Sequence, residues 1–358
     1  MKGSVQFPAL LLVSLCVSCG PVADPRSTAV DLSPPQLQSI RTVGPQEISI
    51  EFDEDADLRA GKTRITPDLA IAGTTVSGKT VEIRGESQSP GRLYTLEAEA
   101  QDARGNSASF IAQFYGWNDR VPRALINEFT PRGSGSHPDL VELKVLTDGD
   151  MGGVALYLGT PGSFDARVVF PAFSVAAGNF IIVHLKPTGS TEEVDETRDR
   201  SVSRGFDASD SAFDFWLPEG TGISGTNGVL SLYDRPGGRC LDAVLYSNRT
   251  SQSDERYRGF GSEEMESRAE EIVSAKGWKA AGARITPEDA VSPEGSTGTR
   301  SLCRSAASAD TDQAADWHLV PTRKATFGSE NSDEAYGKQG MAGSPKPPAA
   351  REPTPASP

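Results

Sequence analysis

The residue types that do chemistry occur in this sequence, but not at the spacings that chemistry needs. The three histidines, His137, His184 and His318, stand far apart, with no His-Glu-x-x-His. A protein zinc site needs such clustered nitrogen and sulfur ligands. Gly220 to Gly225 is glycine-rich but lacks the Lys-Ser/Thr ending of a phosphate loop, and a helix is not expected after it. His137 closes a Ser- and Gly-rich loop, yet no Gly-x-Ser-x-Gly elbow marks a nucleophile. Asp53, Asp55 and Asp57 have the alternate spacing of a calcium loop, but Leu58 and Arg64 stand where that loop requires Gly and a carboxylate. They read as a solvated strand end. Glu128 and Glu142 fall on adjacent expected strands at a separation the sequence does not give, and they are not assigned as a glycosidase pair. No catalytic, cofactor-binding or metal-binding residue is therefore assigned, and the chain is expected not to be an enzyme.

Charge and composition narrow the classes further. The 358 residues carry a formal charge of −14, which excludes general nucleic-acid binding, because phosphate neutralisation needs clustered Lys and Arg. Apolar residues other than Gly make up 37% of the chain, and 36 Gly and 25 Pro together account for 61 of its 358 residues. Part of the chain is accordingly expected as loop or tail. The length suits about two domains.

At the N-terminus, Lys2 precedes an apolar run from Ala9 to Val17. That run falls short of the ~20 residues of a membrane span and fits a signal-peptide core. Ser18-Cys19-Gly20 after it resembles a bacterial lipobox, with Cys16 standing where Leu is usual. The resemblance implies cleavage after residue 18 and acylation of Cys19 with palmitate-type chains, which would anchor the protein to a membrane. Residues 19–33 then read as a flexible tether. With Cys16 removed and Cys19 acylated, Cys240 and Cys303 remain; in an oxidising compartment they are expected to form a disulfide.

The elements behind these residues are strands. Residues 48–52, 80–84, 94–100 and 110–114 alternate apolar and polar side chains, with Gly, Pro, Asp and Asn between them. Asp102 is expected to cap a turn in which Gly105 and Asn106 tolerate positive φ. Ile48 to Asp53, Gly91 to Leu96 and Asp102-Ala103-Arg104-Gly105-Asn106 together resemble the bacterial Ig-like domains of envelope proteins, over residues 34–117. From 121 to 331 the order Leu125-Ile126-Asn127-Glu128, Asp139 to Leu143, Gly228 to Asp234, Asp242 to Tyr246, Ser301 to Arg304, Asp316-Trp317 and Gly328 to Asn331 resembles the lamin tail domain. These resemblances imply an all-β protein of two tandem Ig-like β-sandwiches, and the lamin tail resemblance implies that Glu128 and Glu142 are structural hydrogen-bond acceptors.

Two inserts lengthen the second domain. Residues 187–212 are strongly charged and are expected as a mobile surface loop. Met265, Ala269, Ile272 and Val273 share one face of an expected short helix, closed by Lys276-Gly277 and lying against a sandwich edge or rim. Of the tryptophans, Trp216 is expected buried and Trp278 exposed. Residues 332–358 read as a disordered Pro-rich tail. The expected function is a non-enzymatic, lipid-anchored cell-envelope protein, at the outer membrane or cell surface. Its β-sandwiches would serve as spacer and interaction module for a protein or glycan partner. Loops 133–138, 187–212 and 220–227 are the candidate binding loops. The competing reading is an accessory or substrate-binding subunit of an extracytoplasmic hydrolase or nuclease.

Overall fold

The computed structural model describes residues 32–220 and 222–337. The signal peptide, Cys19, most of the tether and most of the Pro-rich tail lie outside the described residues. No helix among the described residues is long and apolar enough to cross a membrane. The chain is all-β, with one short helix and several, mostly antiparallel, sheets.

Strands β1 (Leu37–Gly44), β2 (Glu47–Phe52), β3 (Asp57–Leu58), β4 (Arg64–Thr66), β5 (Ile71–Ser77), β6 (Thr80–Gly85), β7 (Leu93–Gln101) and β8 (Ser107–Tyr115) form the first unit. One sheet has the order β1-β2-β6-β5; in the other, β7 pairs with β3 and β4 on one side and β8 on the other. Alternation decides what is buried. On β7, Tyr94, Leu96, Ala98 and Ala100 point inward, meeting Ile48, Ile50 and Phe52 of β2 across a shared core. The Asp102 carboxylate accepts the backbone N–H groups of Arg104 and Asn106 and the Asn106 side-chain amide. Gly105 alone in that turn takes positive φ. Asn106 secures the turn through its side chain.

The second unit holds β9 (Ala124–Phe129), β10 (Leu140–Val145), β11 (Gly149–Asp150), β12 (Ala155–Thr160), β13 (Ser163–Val169), β14 (Ser174–Val175), β15 (Phe180–His184), β16 (Phe213–Trp216), β17 (Asn227–Tyr233), β18 (Cys240–Ser247), β19 (Leu302–Arg304) and β20 (Trp317–Leu319). A six-stranded sheet, β16-β15-β10-β9-β19-β20, faces a four-stranded sheet, β13-β12-β17-β18, and β11 pairs with β14. A second, larger core fills the space between the two main sheets, with Ile126, Val141, Leu143, Ile181 and Phe215 on one side and Leu156, Leu230, Leu232 and Val244 on the other.

Helix α1 (Glu263–Ser274) starts at Ser262, whose hydroxyl accepts the Met265 N–H, and has acidic residues in its first turn. Both features stabilise a helix N-terminus. The helix lies flat across the outer face of the four-stranded sheet rather than along its rim. Arg268 forks onto Asp165 of β13 at 3.0 Å through both guanidinium nitrogens, and Glu271 accepts the Thr160 hydroxyl. The segment after the helix buries Trp278 to 1% exposure, so the expected exposed tryptophan is a core residue; its indole N–H donates to the Asp289 carbonyl. Trp216 and Trp317 are buried, and Trp117 lies under the Arg235 guanidinium.

Two further expectations are corrected. The 187–212 segment is tied down: Glu196 is buried and accepts the N–H groups of Val202, Ser203 and Asp214. Cys240 and Cys303 are free thiols. Cys240 packs beside Tyr157 and Tyr233 on the outer face of the four-stranded sheet, whereas Cys303 lies opposite Glu128 on the six-stranded sheet, 3.6 Å from His318 Nε2. The two sheets and their core separate the thiols, so the expected disulfide is not formed. Burial pushes the Cys240 thiol up to about 12 and Cys303 also well above its ordinary value, which keeps both protonated and poorly nucleophilic.

Candidate functional site

The three candidate loops converge at one end of the second unit, and a single carboxylate holds two of them. Asp139 stands immediately before β10 and is 1% exposed. Its Oδ1 accepts the Gly133 N–H at 2.6 Å, and its Oδ2 accepts the Ile223 N–H at 3.0 Å and lies 2.9 Å from Lys186 Nζ. Loop 133–138, the end of β15 and loop 220–227 are thereby pinned to one side chain. Gly222 is required for this approach. Its φ is +83°, and a Cβ there would fall 2.2 Å from Asp139 Oδ2. Arg132 adds a bond from its Nε to the Gly225 carbonyl at 2.6 Å.

Loop 187–212 joins through His137, whose Nδ1 lies 3.0 Å from Asp207 Oδ1. Between these loops and the C-terminal segment runs a groove of about 460 Å³. Pro138, Leu140 and Phe327 give it an apolar floor, while His137, Asp207 and Arg323 stand at its polar rim. Arg323 is exposed and held in the left-handed region at φ 63°. Its N–H donates to the Thr299 carbonyl. An apolar floor with a few charged groups at the edge is the usual make-up of a recognition site.

Behind the groove lie the two carboxylates singled out in the sequence. Glu128 and Glu142 are register partners on β9 and β10, and Asn127 beside them is the extra residue of a β-bulge. Both are fully buried. Glu128 accepts the Ser301 hydroxyl and both the N–H and the hydroxyl of Thr326, at 3.0 and 2.6 Å for the latter two. Glu142 accepts the Asn127 side-chain amide at 2.8 Å and the Gly328 N–H at 2.6 Å. Asn331 completes the clasp by donating to the carbonyls of Arg304 and Asn127. Burial raises both carboxyls above the ordinary range, Glu142 well above it, with Glu128 beside it adding to the rise. The pair thus fastens residues 326–331 across the sheet. Every oxygen on it is engaged by the protein's own donors, so the arrangement is a structural clasp.

Two other buried polar groups also serve the fold. Asp242 accepts a fork from Arg304 at 2.9 and 3.0 Å and the Ile126 N–H at 2.7 Å, while Arg304 also reaches Asp310 and stacks over Trp317. His184 stacks on Trp216 with ring centroids 3.7 Å apart and places Nε2 2.8 Å from Asp214. Asp139, Lys186, Asp207 and Arg323 had no sequence signal as site residues. They lie up to 184 positions apart, Asp139 to Arg323, and no local pattern joins them. Among the described residues no group of His, Cys, Asp and Glu is arranged to hold a metal ion, and the Asp53, Asp55 and Asp57 carboxylates do not converge as calcium ligands.

Residues 122–319 match the model of a family described as TP_1001 protein second domain. An uncharacterized protein of Treponema pallidum (strain Nichols) is 29% identical over 160 residues, which is 44% of this chain and 40% of that protein. The chain therefore spans well under half the length of this curated relative. Among solved structures, the N-terminal part of the bacterial S-layer protein SbsC aligns with 42% of this chain and 40% of its own, at 15% identity and a TM-score of 0.24. Dimeric latent PorU from Porphyromonas gingivalis aligns with 60% of this chain and 20% of its own, at 11% identity and a TM-score of 0.18.

Proposed function

The chain belongs to that second-domain family, and from the loop end of this domain we propose that it is a non-enzymatic interaction module of the bacterial cell envelope. In this reading Cys19 carries the lipid anchor, the first unit is a bacterial Ig-like spacer, and the second is a lamin tail-like domain that presents the groove at its free end. The observation that carries the proposal is the gathering of three sequence-distant loops at one end of the domain, two pinned by Asp139 and the third joined through His137 and Asp207. A buried carboxylate that fixes loop backbones builds a rigid surface, and rigid loops on a β scaffold favour recognition. The partner is a protein rather than a glycan. Glycan platforms use exposed aromatic faces, and the one phenylalanine lining the groove, Phe327, is half-buried. Arg323 and His137 at the rim suit a partner carboxylate, with Asp207 fixing the histidine ring.

Two measurements test this reading. Protease shaving of intact cells, with and without permeabilisation of the outer envelope, reports exposure, and a Cys19→Ala chain should be released from the membrane fraction. A photo-crosslinking residue at Thr299 should capture a discrete protein, and Arg323→Glu should abolish that capture. Retention of the Cys19→Ala protein in the membrane would overturn the anchor. Capture that is indifferent to Arg323→Glu would overturn the groove.

A further inference from the structure

Every sheet ends in strands whose outward N–H and C=O groups need covering, because an open edge pairs with whatever strand it meets. Nearly every edge here is closed. On β16 the outward N–H groups of Asp214 and Trp216 are capped by the carboxylates of Glu196 and Asp195. On β18, Val291 bonds across to Leu245 and Ser247. The Leu319 carbonyl of β20 accepts the Tyr336 N–H. Asp165 and Arg167 charge the β13 edge, and Arg268 clamps Asp165. Strand β1 is bulged at both ends and abuts β8.

Strand β5 is irregular only at its start, between Ile71 and Gly73, and from there to Ser77 it has none of these protections. Its sequence, Ile71-Ala72-Gly73-Thr74-Thr75-Val76-Ser77, holds no charge and no proline, and residues 72–77 are exposed on both faces. It pairs only with β6. The two are joined by the two-residue turn Gly78-Lys79, so Ser77 and Thr80 form a hydrogen-bonded pair. Thr75 therefore also points its N–H and C=O toward β6, while Thr74 and Val76 point theirs outward. An open trough of about 640 Å³ runs beside the C-terminal end of this strand, between Val76 and Gly78 on one wall and Asp55 to Ala60 and Gln101 to Ala103 on the other. Its charges are lopsided: Asp55, Asp57 and Asp102 face Arg59, and Arg59 is already paired with Glu99.

We propose that β5 is a docking edge that accepts an extended segment of another polypeptide, apolar or hydroxylic along its middle and ended by a Lys or Arg that reaches the Asp55–Asp57–Asp102 trough. Added strands gain affinity from the main-chain ladder and register from side-chain pockets. A second copy of this chain is a poor occupant. Antiparallel pairing of two β5 strands would set the Asp55 and Asp57 end of one against Asp68 and Glu86 beside the start of the other, and the chains repel at −14 each.

The probe is a synthetic seven-residue peptide of alternating Thr and Val ended by Lys, added to the full chain. Three controls accompany it: the same peptide ended by Asp, one with alternate amides N-methylated, and sedimentation of the chain alone. The Lys-ended peptide should bind, and should slow hydrogen exchange at Thr74 and Val76 at least tenfold. The Asp-ended peptide should bind at least tenfold more weakly at low salt, and the N-methylated one should not bind. Val76→Pro removes an outward N–H without touching the β6 ladder and should abolish binding. Thr74→Lys keeps the backbone and should weaken the Lys-ended peptide, so a folding failure in the proline variant does not leave the matter open. Absence of binding to the wild-type chain, equal binding of the N-methylated peptide, or protection at strands other than β5 would overturn the proposal. A β5-dependent dimer in sedimentation would overturn the chosen occupant.

Discussion

A buried carboxylate that accepts backbone N–H groups cannot be replaced cheaply, and Asp139 is the sharpest case. Asp139→Ala leaves the amides of Gly133 and Ile223 without an acceptor and Lys186 without its partner. With charged hydrogen bonds contributing ~1.5–3 kcal/mol each, and Lys186 discounted for its exposure, the loss should be about 3 kcal/mol. For a domain of this size that is a fall of roughly 10 °C in Tm, read by calorimetry. A change under about 2 °C would show that Asp139 does not organise the loops. Glu128 and Glu142 make second-unit stability depend on pH. Both are raised above the ordinary 4.5 by burial, so above that value the native state holds protons that the unfolded chain has released. Their contribution is full below pH 4.5 and is lost as pH rises through the raised range. Urea unfolding should show second-unit stability declining from acid toward neutral pH, with a flatter profile in Glu142→Gln; parallel profiles would refute the link. Both glutamates were legible as structural acceptors through the lamin tail resemblance, since strand placement alone does not give their separation or their donors. Asp139 was not, since its partners Ile223 and Lys186 come from other segments. The thiols misled for a related reason: sequence fixes which face of a strand a Cys occupies, but not which sheet that face belongs to.

Strands and helix were legible to the degree that each carries its own pattern. The alternation on β7 and the stagger of Met265, Ala269 and Ile272 on α1 are properties of single elements, and the structure keeps them. What each element packs against is a property of pairs. The helix was expected at a rim and lies across a sheet face, because Arg268 and Glu271 anchor it to the β12–β13 hairpin. Trp278 follows it inward. Segment 187–212 was expected to be loose because it is charged, but its carboxylates serve as caps for the β16 edge. Ile272 is 0% exposed in the layer between α1 and the sheet. Ile272→Ala should therefore cost roughly 2–4 kcal/mol, in line with other buried Ile truncations. Ser262→Ala, which removes only the helix cap, should cost about 1 kcal/mol. Chemical denaturation of the two variants checks the order. An equal or reversed ranking would mean that the cap, not the buried face, holds the helix in place.

At the scale of the molecule, the two hydrophobic cores share no residue, so their relative placement depends on the junction. There Asn118 donates its side-chain amide to the carbonyls of Asp150 and Gly152 at 2.7 and 2.8 Å. On the other side, the Trp117 N–H donates to Gln88 of the first unit at 3.0 Å, while its ring lies under Arg235 of the second. The Pro90-Gly91 turn presses backbone to backbone on Gly152-Gly153. Gly91 has φ +66°, and a Cβ there would fall 2.2 Å from the Gly153 nitrogen. No side chain fits that gap, so Gly91→Ala must push the two units apart while leaving each core intact. The expected result is faster tryptic cleavage at Arg120 and Arg123, by about tenfold if opening exposes the connector at a cost of ~1.4 kcal/mol, with near-normal thermal unfolding of the second unit. Asn118→Ala should move cleavage the same way by less, since it removes two hydrogen bonds and adds no clash. If both variants are cleaved at the wild-type rate, the contact between Gly91 and Gly152-Gly153 does not hold the units together. The connector alone would then set their orientation, and the first unit would act as a flexible leash rather than a stiff spacer beneath the groove.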